Sequence, residues 1–153
     1  MALVELTDSH HGIVTVCPPA IRDPRMKQIL IVDDSPTIRR MVRASLVRFF
    51  PSDEFLEAAS GLEAIERLAV GRIALIVLDL NMPDMHGLEV LQFVRSHQKY
   101  ARVPIIVLTT RGDDVSRSAA LKAGASVFLT KPFTPELLGD EARKLLGADV
   151  ASL

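Results

Sequence analysis

From Lys27 onward, short apolar runs alternate with stretches in which apolar residues recur every three or four positions, and the alternation persists to about Leu146. Runs of the first kind predict strands and stretches of the second kind predict helices. The first run, Gln28 to Val32 (QILIV), predicts a strand. Ser35-Pro36 then supplies an N-cap residue and a first-turn proline. In the helix that follows, Ile38, Met41, Val42, Ser45, Leu46 and Phe49 form one stripe, Arg39, Arg40, Arg43 and Arg48 take other faces, and Pro51 comes just past the end. A second strand is predicted at Glu54 to Ala58. Its helix opens on Ser60, with Glu63 at capping-box spacing, and closes on Gly71.

The third run, Ala74 to Leu80 (ALIVLDL), is apolar almost throughout, the pattern of a strand covered on both faces. Asp79 breaks it. After the loop NMPDMHG a helix is predicted from about Leu88 to Arg95, and Pro104 leads into a fourth strand, Ile105 to Thr109. A fourth helix spans about Asp113 to Ala123 with Gly124 at its end, Val127 to Thr130 makes the fifth strand, and Thr134-Pro135 opens a last helix to about Leu146. Five βα units imply an α/β fold, an open, doubly wound parallel sheet whose ligands bind at the carboxyl ends of the strands. Asp33 and Asp34 after the first strand, Asp79 at the end of the third, Thr109 after the fourth and Lys131 after the fifth all fall at that edge. Singly, each has an ordinary reading as a cap, a turn or an edge residue. Their coincidence at one edge favours a site.

Composition narrows the rest. With 153 residues, 48% of them hydrophobic, the chain holds one domain of ordinary size. A formal net charge of -1 offers no basic footprint, so no nucleic-acid partner is expected. Cys17 is the single cysteine, which excludes an internal disulfide and a cysteine-based zinc site. No apolar run approaches the roughly 18 residues of a membrane span and the start lacks signal-peptide order, so a cytoplasmic protein with no membrane partner is expected. Residues 1–25 are read as an N-terminal extension: Gly12 to Cys17 as one strand, Pro18, Pro19 and Pro24 as an extended linker, His10-His11 as polar tail. Residues 26–147 form the domain, and 148–153 are a C-terminal tail too short for an output module.

Three carboxylates in one pocket repel each other unless a cation sits among them. Oxygen ligands without His or Cys call for a hard ion, and open positions for water and a phosphoryl oxygen suit Mg²⁺. A carboxylate so placed can attack phosphorus to form an acyl phosphate. Asp79, fixed by a rigid strand, is the candidate nucleophile. Asp33 and Asp34 are the metal-holding pair, Lys131 the point charge and Thr109 the hydroxyl donor.

The segments ILIVDDSPTIRRMV (29–42), LIVLDLNMPDMHGLEVL (75–91), PIIVLTT (104–110) and KAGASVFLTKPF (122–133) resemble the response-regulator receiver family of bacterial two-component systems, over residues 26 to about 147. The resemblance implies a flavodoxin-like (βα)5 sheet of order 2-1-3-4-5, an order for which a chemotaxis receiver is a standing example. It implies phosphorylation of Asp79 by a histidine kinase or phosphotransfer protein. Metal contacts would come from Asp34 directly, Asp33 through water, Asp79, and the backbone carbonyl of Asn81. Lys131 would contact phosphate before a cis Lys131-Pro132 bond, and Thr109 and Phe128 would form the switch pair. Phe128 stands where tyrosine is frequent, and Thr110 where a smaller residue is usual. The arginines of the first helix read either as a docking face or as a solvated surface, and His86 and His97 as surface side chains.

The expected role is a signalling switch, catalysing only its own phosphorylation and dephosphorylation. Its fourth helix, fifth strand and last helix would bind a separate target protein, in chemotaxis or a similar pathway. A phosphorelay carrier passing the group to a histidine phosphotransfer protein is the alternative. A turnover phosphohydrolase is disfavoured by Asn81, which stands where such enzymes carry a second acid, and a degenerate receiver is disfavoured by the intact acidic set. Oligomeric state stays open.

Overall fold

The computed structural model describes residues 4–8, 12–16 and 25–147. In chain order the elements are β1 (Val4–Asp8), β2 (Gly12–Val16), β3 (Gln28–Val32), α1 (Pro36–Val47), β4 (Glu54–Ala58), α2 (Gly61–Val70), β5 (Ile73–Leu78), α3 (Gly87–Ser96), β6 (Ile105–Thr109), α4 (Asp114–Lys122), β7 (Val127–Thr130) and α5 (Pro135–Gly147). β3 to β7 make a parallel sheet of order β4-β3-β5-β6-β7. Counted from Gln28, that is the expected 2-1-3-4-5.

The apolar runs are strands because both faces of the sheet are covered. Ile29 and Ile31 of β3, Leu75 and Val77 of β5, and Ile106 and Leu108 of β6 pack with Val42 and Leu46 of α1 and with Leu138, Ala142 and Leu146 of α5. Their neighbours along the same strands face the other way. Leu30, Val32, Ile76, Leu78, Ile105 and Val107 pack with α2, α3 and α4 through Ala64, Leu68, Val90, Leu91, Val94 and Ala120. This alternation fixes register, since a one-residue slip would exchange the two cores. The edge strands are less covered, and β4 carries Glu54 and Glu57 along the rim, where charge discourages further pairing.

The caps also form. Ser35 Oγ accepts from Ile38 N (3.3 Å), Ser60 Oγ from Glu63 N (3.1 Å), Asp113 Oδ2 from Ser116 N (3.1 Å) and Thr134 Oγ1 from Leu137 N (3.2 Å). Glu63 reaches back to Ala59 N (3.0 Å), one residue before the cap. Just past the Ala123 cap of α4 comes Gly124, whose φ of 110° is closed to most side chains. Among the described residues no helix is long and apolar enough to cross a membrane.

Two expectations need correction. β5 ends at Leu78, so Asp79 lies one residue beyond the strand; its amide still donates to Val32 O (2.9 Å), but Leu80 already turns away. The single strand expected at Gly12 to Cys17 is Gly12–Val16, and it pairs antiparallel with β1, a strand the sequence reading missed, in a separate two-stranded sheet. His86 is exposed, as expected, and in addition caps α3, its Nδ1 accepting from Leu88 N at 3.2 Å. The expectations for His10-His11, the proline-rich stretch and the 148–153 tail lie outside the described residues.

Gly87 is where the loop after Asp79 returns to the sheet. Its amide donates to Leu80 O (2.8 Å), and a Cβ there would stand 2.5 Å from the Asp79 carbonyl oxygen and 2.6 Å from Leu80 Cα, both backbone atoms that cannot swing aside. Gly87→Ala is therefore expected to lower stability by about 1–3 kcal/mol, as overpacking does. Gly147→Ala, with nothing within 4 Å of the added carbon, is expected to be neutral or slightly stabilising. Urea unfolding of the two variants beside the parent checks both.

Candidate functional site: an acidic cluster at the carboxyl edge

The chain leaves β3 toward β4 on one side and returns to β5 on the other, so the carboxyl ends of β3 and β5 flank the point where strand order reverses. Asp33 and Asp34 follow β3 and Asp79 follows β5. One oxygen from each of the three lies within 4.8 Å of the others.

The acids are held differently. Asp33 is 3% exposed and Asp79 5%, whereas Asp34 is exposed. Asp33 donates its amide to Ala58 O (3.1 Å), accepts Ser35 N on Oδ1 (2.9 Å) and accepts Lys131 Nζ on Oδ2 (2.7 Å). Asp79 Oδ1 accepts Asn81 N (3.3 Å) and lies 3.6 Å from Lys131 Nζ. Lys131 thus stands between two buried carboxylates, reaching across from the end of β7, and its amide is tied to Thr109 O (2.8 Å). The Lys131–Pro132 bond is cis, as the resemblance implied.

Burial pushes the Asp79 carboxyl above the usual aspartate range. Lys131 and the Asn81 amide pull it back, and Asp33 and Asp34 add to the rise. The net is upward, so the ionised form is the uncomfortable one.

Thr109 is fully buried. Its Oγ1 accepts from Asn81 Nδ2 and from Arg111 N, each at 3.3 Å. Both contacts use the oxygen's lone pairs, which leaves its proton free to donate. Leu80, Asn81, His86, Thr109 and Arg111 help line a cleft of about 210 Å³ beside these groups. Thr110 is exposed, and Phe128, 8% exposed, lies in the core on the α2, α3 and α4 side.

All five polar residues expected at this edge, with Asn81, are therefore brought together, while Phe128 belongs to the packing behind them. Two supports escaped the sequence reading. Asp84 in the β5–α3 loop accepts from Gly61 N and Leu62 N, both at 3.3 Å, and so ties that loop to the start of α2. Arg39 is no solvated arginine: 16% exposed, it donates Nε to Glu57 Oε1 (3.0 Å) and Nη1 to Asp33 O (2.6 Å).

Such an acidic pocket at the switch point of a five-stranded doubly wound sheet defines a receiver-type fold. Residues 29–143 match the model of the response regulator receiver domain, and the chain belongs to that family. Over 121 residues, 78% of this chain and 92% of the other, it is 40% identical to the chemotaxis protein CheY homolog of Campylobacter jejuni. It is 40% identical over 123 residues, 80% of this chain and 98% of the other, to the chemotaxis protein CheY1 of Helicobacter pylori. Among solved structures, the chemotaxis protein CheY4 of Vibrio cholerae superposes with a TM-score of 0.73 at 36% identity, covering 79% of this chain and 99% of that one. The chain is a chemotaxis-receiver-like response regulator of the two-component class, a family of signalling switches.

The raised Asp79 value fixes the sign of a pH effect. Above the ordinary aspartate value of about 4, the native state holds the proton more firmly than the unfolded chain, so stability falls as pH rises toward the native value and then levels off. Asp79→Asn, which mimics the neutral form, should melt at higher temperature than the parent in chelator at pH 7. That difference should shrink as pH falls to about 4. Thermal melts across this range check it.

Proposed function

We propose that this protein is a phospho-acceptor response regulator whose Asp79 takes a phosphoryl group from a histidine kinase or phosphotransfer protein. The observation that carries the reading is the desolvated Asp79 carboxyl at the end of a rigid strand, within reach of Lys131 and grouped with two further acids.

The donor set fits Mg²⁺. Among the described residues the cluster is all carboxylate oxygen, and three carboxylates against one ammonium leave a formal excess of two negative charges, which a divalent ion balances. Asp33, Asp34, Asp79 and the Asn81 backbone carbonyl are the proposed holders, and the bound ion would supply charge neutralisation for an incoming phosphate. An Asp79 oxygen then attacks the donor phosphorus; the new O–P bond forms as the bond to the leaving group breaks, and the leaving group departs with its electron pair. Lys131 offsets charge on the phosphoryl oxygens. Thr109 donates its free hydroxyl proton to one of them.

Capture of that hydroxyl biases the domain toward the conformation that favours it, with Phe128 moving in concert, and the surface of α4, β7 and α5 is read by a separate target protein. Leu121 on α4 and Leu137 on α5 are exposed and support an apolar contact. The receiver is assigned to residues 26–147, acting in the cytoplasm without nucleic-acid or membrane partners.

Incubation with Mg²⁺ and acetyl phosphate, followed by intact mass measurement, tests the reading. The parent should gain one phosphoryl group that is lost at alkaline pH, and Asp79→Asn should gain none. No gain by the parent, with the small donor or with a cognate kinase, would sink the proposal.

A further inference from the structure

Asp33 uses every polar handle it has. Its amide goes to Ala58 O (3.1 Å), one carboxylate oxygen takes Ser35 N (2.9 Å), the other takes Lys131 Nζ (2.7 Å), and its carbonyl takes Arg39 Nη1 (2.6 Å). The last of these comes from outside the cluster. Arg39 sits in the first turn of α1, its amide donating to Ser35 O (3.1 Å), and its Nε is anchored on Glu57 Oε1 (3.0 Å). Glu57 immediately precedes Ala58, the residue that receives the Asp33 amide. The bonds therefore close a ring: Asp33 carbonyl, Arg39, Glu57, Ala58, Asp33 amide.

That ring holds the peptide between Asp33 and Asp34. A peptide unit is planar, so a carbonyl oxygen held in place fixes the plane from which the next residue departs. The next residue is Asp34, exposed, and among the described residues its carboxylate takes no hydrogen bond or ion pair. Its side chain has nothing to aim it except the backbone it grows from. We propose that Arg39 is a positioning residue for the cation site: it contacts neither ion nor phosphate, and by clamping the Asp33 carbonyl against β4 it aims Asp34 into the cluster. The inference rests on the Mg²⁺ reading above.

Only a forked side chain can do this. The guanidinium presents donors on separate nitrogens to two acceptors at once, whereas an ammonium of similar reach is a single point on a flexible stem. Arg43 provides the contrast. It meets the same Glu57 at 3.5 Å, but it is 53% exposed and has no bond to Asp33.

Opposite signs separate positioning from simple electrostatics. A cation near a cation site opposes metal binding, so as a mere charge Arg39 would weaken Mg²⁺ affinity, and removing it would tighten binding. As a clamp, its removal loosens binding, by about tenfold or more if it behaves as other groups that orient metal ligands do. The experiment is calorimetric titration of the full chain with Mg²⁺ alone, for the parent, Arg39→Lys, Arg39→Gln and Arg43→Gln, with a thermal melt of each metal-free protein. Expected are an Arg43→Gln affinity within about twofold of the parent and clear weakening for both Arg39 variants. Arg39→Lys keeps the charge and most of the packing, so it reports even where Arg39→Gln does not fold. Parent-like affinity in Arg39→Lys, or tighter binding in a folded Arg39→Gln, overturns the inference while leaving the Mg²⁺ site standing. Absence of Mg²⁺ binding by the parent overturns both.

Discussion

Val32 lies opposite Leu78 in the parallel pairing of β3 with β5, and the amide of the following residue, Asp79, donates to the Val32 carbonyl at 2.9 Å. That pairing is the constraint on which the site depends, because it sets Asp79 beside Asp33 whatever their charges prefer. It is enforced from both faces. Moving β5 by one residue would turn Leu75 and Val77 from the α1 and α5 core into the other one, exchanging two sets of fully buried side chains. The repulsion between acids is thus imposed by hydrophobic packing, which at a few kcal/mol per buried side chain, summed over three central strands, outweighs it.

The rest of the edge answers that repulsion. Lys131 reaches from the far strand to stand 2.7 Å from one acid and 3.6 Å from the other, and its own backbone is tied to Thr109. One ammonium does not suffice, since the Asp79 carboxyl remains pushed upward by burial and by its neighbours. A cluster left with surplus negative charge and a desolvated carboxylate is less stable without a cation than with one, the usual relation between a prepared site and the fold that carries it.

The sheet was legible in the chain because its central strands are buried on both faces and so read as unbroken apolar runs, and because Ser35, Ser60, Asp113 and Thr134 announce helices with local hydrogen bonds. The acidic set was legible for a related reason: polar residues that interrupt or end such runs can only lie at a strand end. What escaped depends on partners distant in sequence. Arg39 has the spacing of a solvated position, and only Glu57, 18 residues on, together with the Asp33 carbonyl draws it inward. Asp84 looks like any loop acid until the start of α2 is set against it. β1 was missed because VELTD is short and half polar, without the unbroken apolar run that reveals a strand buried on both faces.

Asp33 and Asp34 are adjacent in sequence and opposite in character. Asp33 is buried with all its polar atoms engaged, while Asp34 is exposed with its carboxylate unengaged among the described residues. In the proposed cation site the two would divide the work. A fully bonded acid is a rigid reference that keeps Lys131 and the β3 edge in register whether or not an ion is present. A free one can turn to meet an ion and its water, and the entropy it loses is that of one short side chain. Had both been free, binding an ion would also have to order the turn. Had both been bonded, the turn after β3 would have no unengaged carboxylate to offer, leaving that part to Asp79 and the Asn81 carbonyl. A rigid acid followed by a loose one places the ordering cost in folding, where two hydrophobic cores sustain it, and leaves binding with little to rearrange.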